Sequence, residues 1–218
     1  MEALDRDGAV ILAPLLSTAE CDAAIALLAG IHGAGSRNLL AIPEIRELAS
    51  LLRAHRALVP LLPPGAVCVQ CTLFAKTPDT QWAVGAHQDF GIPVARRVEA
   101  PGYTGWREKE GMLHAQPPVA VLEQLVAVRV QLDPDAAAAG PLEIVPGSHH
   151  ERKPAAAAAA FTAAQRVPCI PERGGAVAMR PLVVHASAKG DPALPRRVLH
   201  FVFGPARLPG GVEWATSV

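Results

Sequence analysis

What this sequence has little of narrows its roles before any motif is read. It has no excess of either charge, since 20 Lys and Arg balance 20 Asp and Glu. A nucleic-acid or anionic-membrane surface needs a basic surplus, so neither is expected as a partner. It has only four cysteines in 218 residues, Cys21, Cys68, Cys71 and Cys169, too few for a disulfide scaffold. It has no run of about 18 apolar residues, so no membrane-spanning helix is expected. No basic segment precedes its first apolar run: MEALDRDGAVILAP carries Glu2, Asp5 and Asp7 instead. That start predicts no secretory leader and a cytoplasmic protein. Aromatics are scarce, at 4%, which reads as base composition and not as function.

What is there is a core. Half the residues are hydrophobic and 18% are charged, a globular composition sized for a single domain over 1–218. Gly8 to Pro14 reads as a strand. Ser17 with Glu20 forms a capping box for a helix that stops at Gly30. Pro43 to Leu62 reads as a helix with Ile45, Leu48, Leu51 and Leu52 on one face. These elements make an N-terminal helical part over about 15–62. From about 66 to 205 the period changes to that of strands: AVCVQCTLFAK, LVAVRVQLD, PLEIVPGSHH, GGAVAMRPLVVHAS and RRVLHFVFG. Ala155 to Gln165 is helical by propensity. Residues 78 to 118 hold many Pro, Gly, Trp and His and little periodicity, which marks an irregular, functional segment. The order fits a mainly β barrel or sandwich with packed helices.

Two histidines and one carboxylate are the donor set for a non-haem iron that keeps open positions. His87 and Asp89 stand two residues apart, a spacing that turns both side chains to one face of an extended segment. His185 ends the apolar run AMRPLVV, where a strand delivers a third donor. The H-x-D pair alone is weak: eight His and eight Asp in a chain of this length yield roughly 0.3 such pairs by chance.

Its surroundings are more specific. DGAVILAPLLSTAE, LFAKTPD, WAVGAHQD, GPLEIVPGSHH and VVHASAKGDPALPRRVLHFVFG, in this order and spacing, resemble the phytanoyl-CoA dioxygenase family of Fe(II)- and 2-oxoglutarate-dependent oxygenases over nearly the whole chain. The resemblance implies a double-stranded β-helix, jelly-roll or cupin-like, with Fe(II) on His87, Asp89 and His185. It implies 2-oxoglutarate and O2 as cosubstrates, with release of succinate and CO2. It also places an arginine eleven residues after the distal histidine, here Arg196, on the distal carboxylate of 2-oxoglutarate. Arg suits that task because its planar fork meets a carboxylate with two hydrogen bonds. Halogenating relatives lack the carboxylate ligand, so the presence of Asp89 points to hydroxylation, desaturation or cyclisation. The substrate is expected to be a small or carrier-bound organic molecule, and the protein a monomer or homodimer.

Other residues are candidates on weaker grounds. Gln70 and Thr72 share a face of the first long strand, and are assigned to cosubstrate binding. Gln131 sits similarly on LVAVRVQLD. Trp106 and His114 lie in the later part of the irregular segment, Gly91 to Pro118, read as a lid over the pocket, and Arg37 lies in the loop after GAGS. These four are substrate candidates. Cys68 and Cys71 form a CxxC inside a strand, where i and i+3 point to opposite faces, so buried thiols are expected. His149 and His150 follow a Pro-Gly-Ser turn and read as turn residues. The rival from a different class is a non-catalytic metal- or ligand-binding barrel. Arg196 argues against it, because such a protein needs no anchor for an oxoacid.

Overall fold

The computed structural model describes residues 2–77, 80–134 and 136–218, so the last two residues of the LFAKTPD block lie outside the described residues. Along the chain come α1 (Glu2–Asp7), β1 (Ala9–Leu12), α2 (Thr18–Leu27), β2 (Gly35–Ser36), α3 (Pro43–Ala54), β3 (Val67–Lys76), β4 (Val84–His87), β5 (Ile92–Pro93), β6 (Thr104–Lys109), β7 (Met112–Gln116), α4 (Val119–Leu122), β8 (Val126–Gln131), β9 (Leu142–Ile144), α5 (Ala155–Ala159), β10 (Val167–Cys169), β11 (Ala176–Met179), β12 (His185–Ser187) and β13 (Arg196–Gly204). The strands form a six-stranded sheet in the order β1-β11-β8-β13-β3-β2, a four-stranded sheet β10-β9-β12-β4 and a three-stranded sheet β5-β7-β6. The first two are antiparallel throughout. They are the two layers of a double-stranded β-helix.

The six-stranded sheet is covered on both faces, and alternation along its strands shows how. On β8, Val126, Val128 and Val130 join Leu199, Phe201 and Phe203 of β13 in a core that also holds Cys21, Ala24, Ile45, Ala49 and Leu52 of the helices. Ser17 caps α2 with Glu20, as the capping box predicts. Ile45, Ala49 and Leu52 recur at one-turn spacing on α3, and full burial of a residue such as Ile45 or Leu52 is worth roughly 1.5–3 kcal/mol. The opposite face of the sheet packs Ala127, Val177 and Met179 against Leu142, Ile144 and Cys169 of the four-stranded sheet. The same face carries Arg129, Arg196 and His200 toward a cavity between the layers.

Several sequence expectations change. α3 ends at Ala54, and only a short 3-10 turn at Val59–Leu61 follows, because Pro60 and the two prolines after it leave no room for further helical turns. The stretch 175–187 is two strands in different sheets, β11 and β12, and Pro181 interrupts it. α5 stops at Ala159, and a separate 3-10 turn covers Ala163–Gln165. Cys68 and Cys71 both face the helix-side core. A bulge that skips Val69 between the pairs Val202–Gln70 and Phe203–Cys68 resets the alternation. Both thiols are free and buried, and burial pushes Cys68 up to about 12.

The segment 91–118, expected to be irregular, holds three strands. β6 and β7 form a hairpin, with Lys109 opposite Met112 across the two-residue loop Glu110-Gly111. Both loop residues have positive φ, 51° and 74°, the geometry of a type I′ turn. Glu110 is held there by its bonds to loop 36–37: its carboxylate accepts from the Arg37 backbone N–H (2.8 Å), the Arg37 guanidinium (2.5 Å) and the Ser36 hydroxyl (3.4 Å). Ile92, Val94, Tyr103 and Ala115 anchor the small sheet on Leu122, Leu125, Val212 and Trp214.

Candidate metal centre and its cavity

His87 and His185 are direct cross-strand partners on β4 and β12, and their ring centroids lie 4.2 Å apart. The chain leaves β4 after His87, and Asp89 is fixed by its backbone N–H on the Pro181 carbonyl (2.9 Å). Asp89 Oδ1 is 3.7 Å from His87 Nε2, and Oδ2 is 3.6 Å from His185 Nε2. One donor atom from each of the three residues lies within 4.8 Å of the other two. Each imidazole turns Nδ1 to a backbone carbonyl two residues before it, Gly85 at 2.8 Å and Val183 at 2.9 Å. A carbonyl only accepts, so Nδ1 carries the proton and Nε2 keeps its lone pair for a metal. Burial pushes His185 down to about 4 despite the neighbouring Asp89, which keeps it in the neutral, ligating form. Burial raises the Asp89 carboxyl, but His185, His200, His87 and Arg129 outweigh it, and the group lies below the usual carboxylate range.

Gln88, between the two ligands, is 5% exposed and tied on both ends of its amide. Its NH2 donates to the carbonyls of Leu182 and Glu151 (2.8 Å for the latter), and its oxygen accepts from the Lys153 N–H (2.7 Å). One side chain thereby fastens the metal segment to the approach to β12 and to the loop after β9.

The triad opens into a cavity of about 530 Å³. Among the described residues Asp89 is its one acidic lining residue, against seven basic ones: Arg37, Lys76, Arg107, Lys109, Arg129, Lys153 and Arg196. Three of these are under 10% exposed: Arg129, Arg196 and Lys76. Lys76 and Arg196 are cross-strand partners on β3 and β13. Both donate to the Ser187 hydroxyl, at 2.9 and 3.3 Å, and Lys76 also donates to the Ala188 carbonyl. Among the described residues the buried Arg196 Nε has no acceptor, a loss of about 1–3 kcal/mol unless a ligand supplies one. Arg129 donates to His200 Nδ1 (3.0 Å), so the His200 proton sits on Nε2. Burial, reinforced by Arg129, pushes His200 down to about 3. Burial likewise pushes Arg196 and Arg129 down to about 10 and Lys76 to about 8.

Of the sequence candidates, Gln70, Thr72, Arg37 and His114 also line this cavity. Gln70 donates to Thr72 (2.9 Å). His114 holds Nδ1 on the Met112 carbonyl (3.0 Å). Gln131 does not line it. It follows Arg129 on the same strand face but lies beyond Arg196, in a separate small cleft, with its amide on the Asp133 carbonyl (2.9 Å). Trp106 does not line it either. Alternation on β6 turns Trp106 to the outer face, against Tyr103 and Arg97. His149 and His150 stack on each other away from the triad, with His149 on the Asp5 carbonyl. Sequence reasoning passed over Arg129 and Gln88. An arginine inside the apolar strand LVAVRVQLD was the available signal for the first. For the second there was none beyond its place between two ligands.

The profile of the phytanoyl-CoA dioxygenase family matches residues 4–198. No curated protein sequence matches the chain significantly. Among solved structures, iron-bound HygX from Streptomyces hygroscopicus is similar with a TM-score of 0.63 and 15% identity, over 95% of this chain and 86% of that one. The non-haem α-ketoglutarate-dependent epimerase SnoN from nogalamycin biosynthesis gives 0.65 and 19%, over 98% and 84%. AviO1 from Streptomyces viridochromogenes Tue57 gives 0.62 and 23%, over 96% and 95%. At these identities the likeness is one of fold.

Proposed function

The chain belongs to the phytanoyl-CoA dioxygenase family, and from that premise we propose how its residues carry the Fe(II)- and 2-oxoglutarate-dependent dioxygenase function that membership assigns. His87, Asp89 and His185 would hold the iron at the wall of the cavity. Arg196, with Lys76 and the Ser187 hydroxyl beside it, binds the distal carboxylate of 2-oxoglutarate. Gln70 and Thr72 are wall residues of the cosubstrate site. The observation that carries this reading is the pairing of the triad with a buried guanidinium whose Nε lacks an acceptor. A non-catalytic metal barrel has no use for that arginine.

Bound there, iron and 2-oxoglutarate would supply the oxidation of a substrate C–H bond by O2, with release of succinate and CO2. The chain's own residues hold and shield. The carbonyls of Gly85 and Val183 keep both imidazoles in the ligating tautomer. Arg129 supplies a fixed positive charge on the inner wall, and the neutral His200 holds its guanidinium in place by accepting from it. Leu122, Leu125, Ala127 and Leu142 give the cavity apolar lining that excludes water. We take the outcome to be hydroxylation of a small or carrier-bound substrate by a single oxygenase domain, monomeric or dimeric. Four free, buried cysteines favour a reducing, cytoplasmic setting. Among the described residues no helix is long and apolar enough to cross a membrane.

Anaerobic titration tests the assignment. Fe(II)-loaded protein should develop a metal-to-ligand charge-transfer band on addition of 2-oxoglutarate. His185→Ala and Asp89→Ala should lose Fe(II) affinity by about tenfold or more. A parent protein that binds Fe(II) but never shows the band, or variants with parental affinity, overturns it.

A further inference from the structure

The cavity holds more positive charge than iron and 2-oxoglutarate explain. The inner cations, Arg129, Arg196 and Lys76, have the two carboxylates of the cosubstrate to meet. At the mouth, Arg37 is neutralised by Glu110 and Lys153 by Glu151. Arg107 and Lys109 remain. They stand two apart on β6, so both turn to the cavity, while the intervening Glu108, the one acid on this strand, falls on the other face. Among the described residues, neither cation makes an ion pair or a side-chain hydrogen bond. Arg107 reaches the metal segment: its Nη2 lies 3.6 Å from where a Cβ on Gly91 would stand, two residues beyond Asp89. Arg107 and Arg37 repel Lys109, Asp89 and Glu110 attract it from beyond ion-pair distance, and among the described residues no carboxylate closes on either cation.

We propose that the substrate carries an anionic group, a carboxylate or a phosphate, which Arg107 and Lys109 hold at the cavity mouth so that the rest of the molecule lies over the metal. The fork of Arg107 and the point charge of Lys109 match the oxygens of such a group. The hairpin that carries them is set in place by the bonds of Glu110 to loop 36–37, so the anion site is built before the substrate arrives. The word substrate rests on the oxygenase reading; the anion site itself does not.

The test uses protein saturated with Ni(II) and 2-oxoglutarate, which fills the inner cations first. Phenyl phosphate, benzoate and benzyl alcohol are then titrated by calorimetry into the parent and into the Arg107→Gln/Lys109→Gln double variant. At least one anion should bind the parent at millimolar concentration, and the neutral alcohol should not. The double variant should lose about tenfold or more of that affinity while its 2-oxoglutarate affinity and melting curve stay as in the parent. Phosphate and benzoate arms tell which oxyanion is preferred. Equal anion binding by the double variant, equal binding of benzyl alcohol, or no anion binding at all overturns the proposal. Failure of 2-oxoglutarate to bind in the first step counts against the oxygenase reading instead, and the anion titration is read on the same sample either way.

Discussion

Arg196 and Arg197 are neighbours on β13 with opposite surroundings. Arg196 is 4% exposed and faces the cavity. Arg197 lies on the far side, where its N–H, Nε and Nη2 all donate to Asp133. That division was legible in the sequence, because the residues sharing a face with Arg197 are Leu199, Phe201 and Phe203, an unbroken core set. Its partner was not, since nothing local ties Arg197 to a residue 64 positions away. Arg196→Ala should therefore raise the apparent 2-oxoglutarate dissociation constant about 30-fold or more, the equivalent of 2 kcal/mol upward for a charge-assisted pair. Arg197→Ala should leave that constant near its parental value. Its stability cost follows from Asp133, which is buried. Removing its partner should cost on the order of 3 kcal/mol in denaturant unfolding. Titrating and melting both variants checks the pair; a loss of cosubstrate binding in Arg197→Ala would shift the register of β13 by one.

Among the elements, the β6–β7 hairpin was the hardest to see and matters most for the cavity mouth. β6 reads TGWREK, with no apolar alternation, because one face meets a polar cavity and the other meets solvent. The Glu110-Gly111 turn was its one local sign. Similarly, β11 and β12 read as one strand because both are buried throughout, and period two cannot reveal a change of sheet when neither face is polar. The bulge at Val69 left no composition signal either. By contrast β8 and β13 were readable, since each alternates between a uniform core face and a mixed face. The hairpin separates two residues that sequence reasoning grouped together. Trp106→Ala should leave the ratio of substrate oxidation to 2-oxoglutarate consumption unchanged, because Trp106 packs outside. His114→Ala should lower that ratio, because His114 faces the cavity at 3% exposure. Measuring succinate against oxidised product in both variants decides it. Uncoupling by Trp106→Ala alone would mean that the outer face of the hairpin is the functional one.

For the whole molecule, the central sheet has an apolar face toward the helices and a face of buried cations and histidines toward the cavity. That second face makes stability depend on pH. His200 is 5% exposed, accepts from Arg129 and is held down to about 3. Burial is the largest cause, Arg129 and His185 push the same way, and Asp89 alone opposes. In the unfolded chain the same imidazole takes up a proton near pH 6.5. Below that pH the unfolded state binds the proton and the folded state does not. The stabilising contribution is thus complete above about 6.5 and is lost as pH falls toward 3, by about 1.4 kcal/mol for each pH unit. His185 and Asp89 act in the same direction but also bind the metal, so the metal-free protein removes metal binding from the comparison and a His200 variant separates the His200 share. His200→Gln keeps an acceptor for Arg129 and removes the titrating group. Melting temperatures of the metal-free parent should fall steadily between pH 6.5 and 4, and those of His200→Gln should fall less steeply. Identical slopes would mean that His200 already takes up its proton in the folded state, with the guanidinium of Arg129 turned away from it.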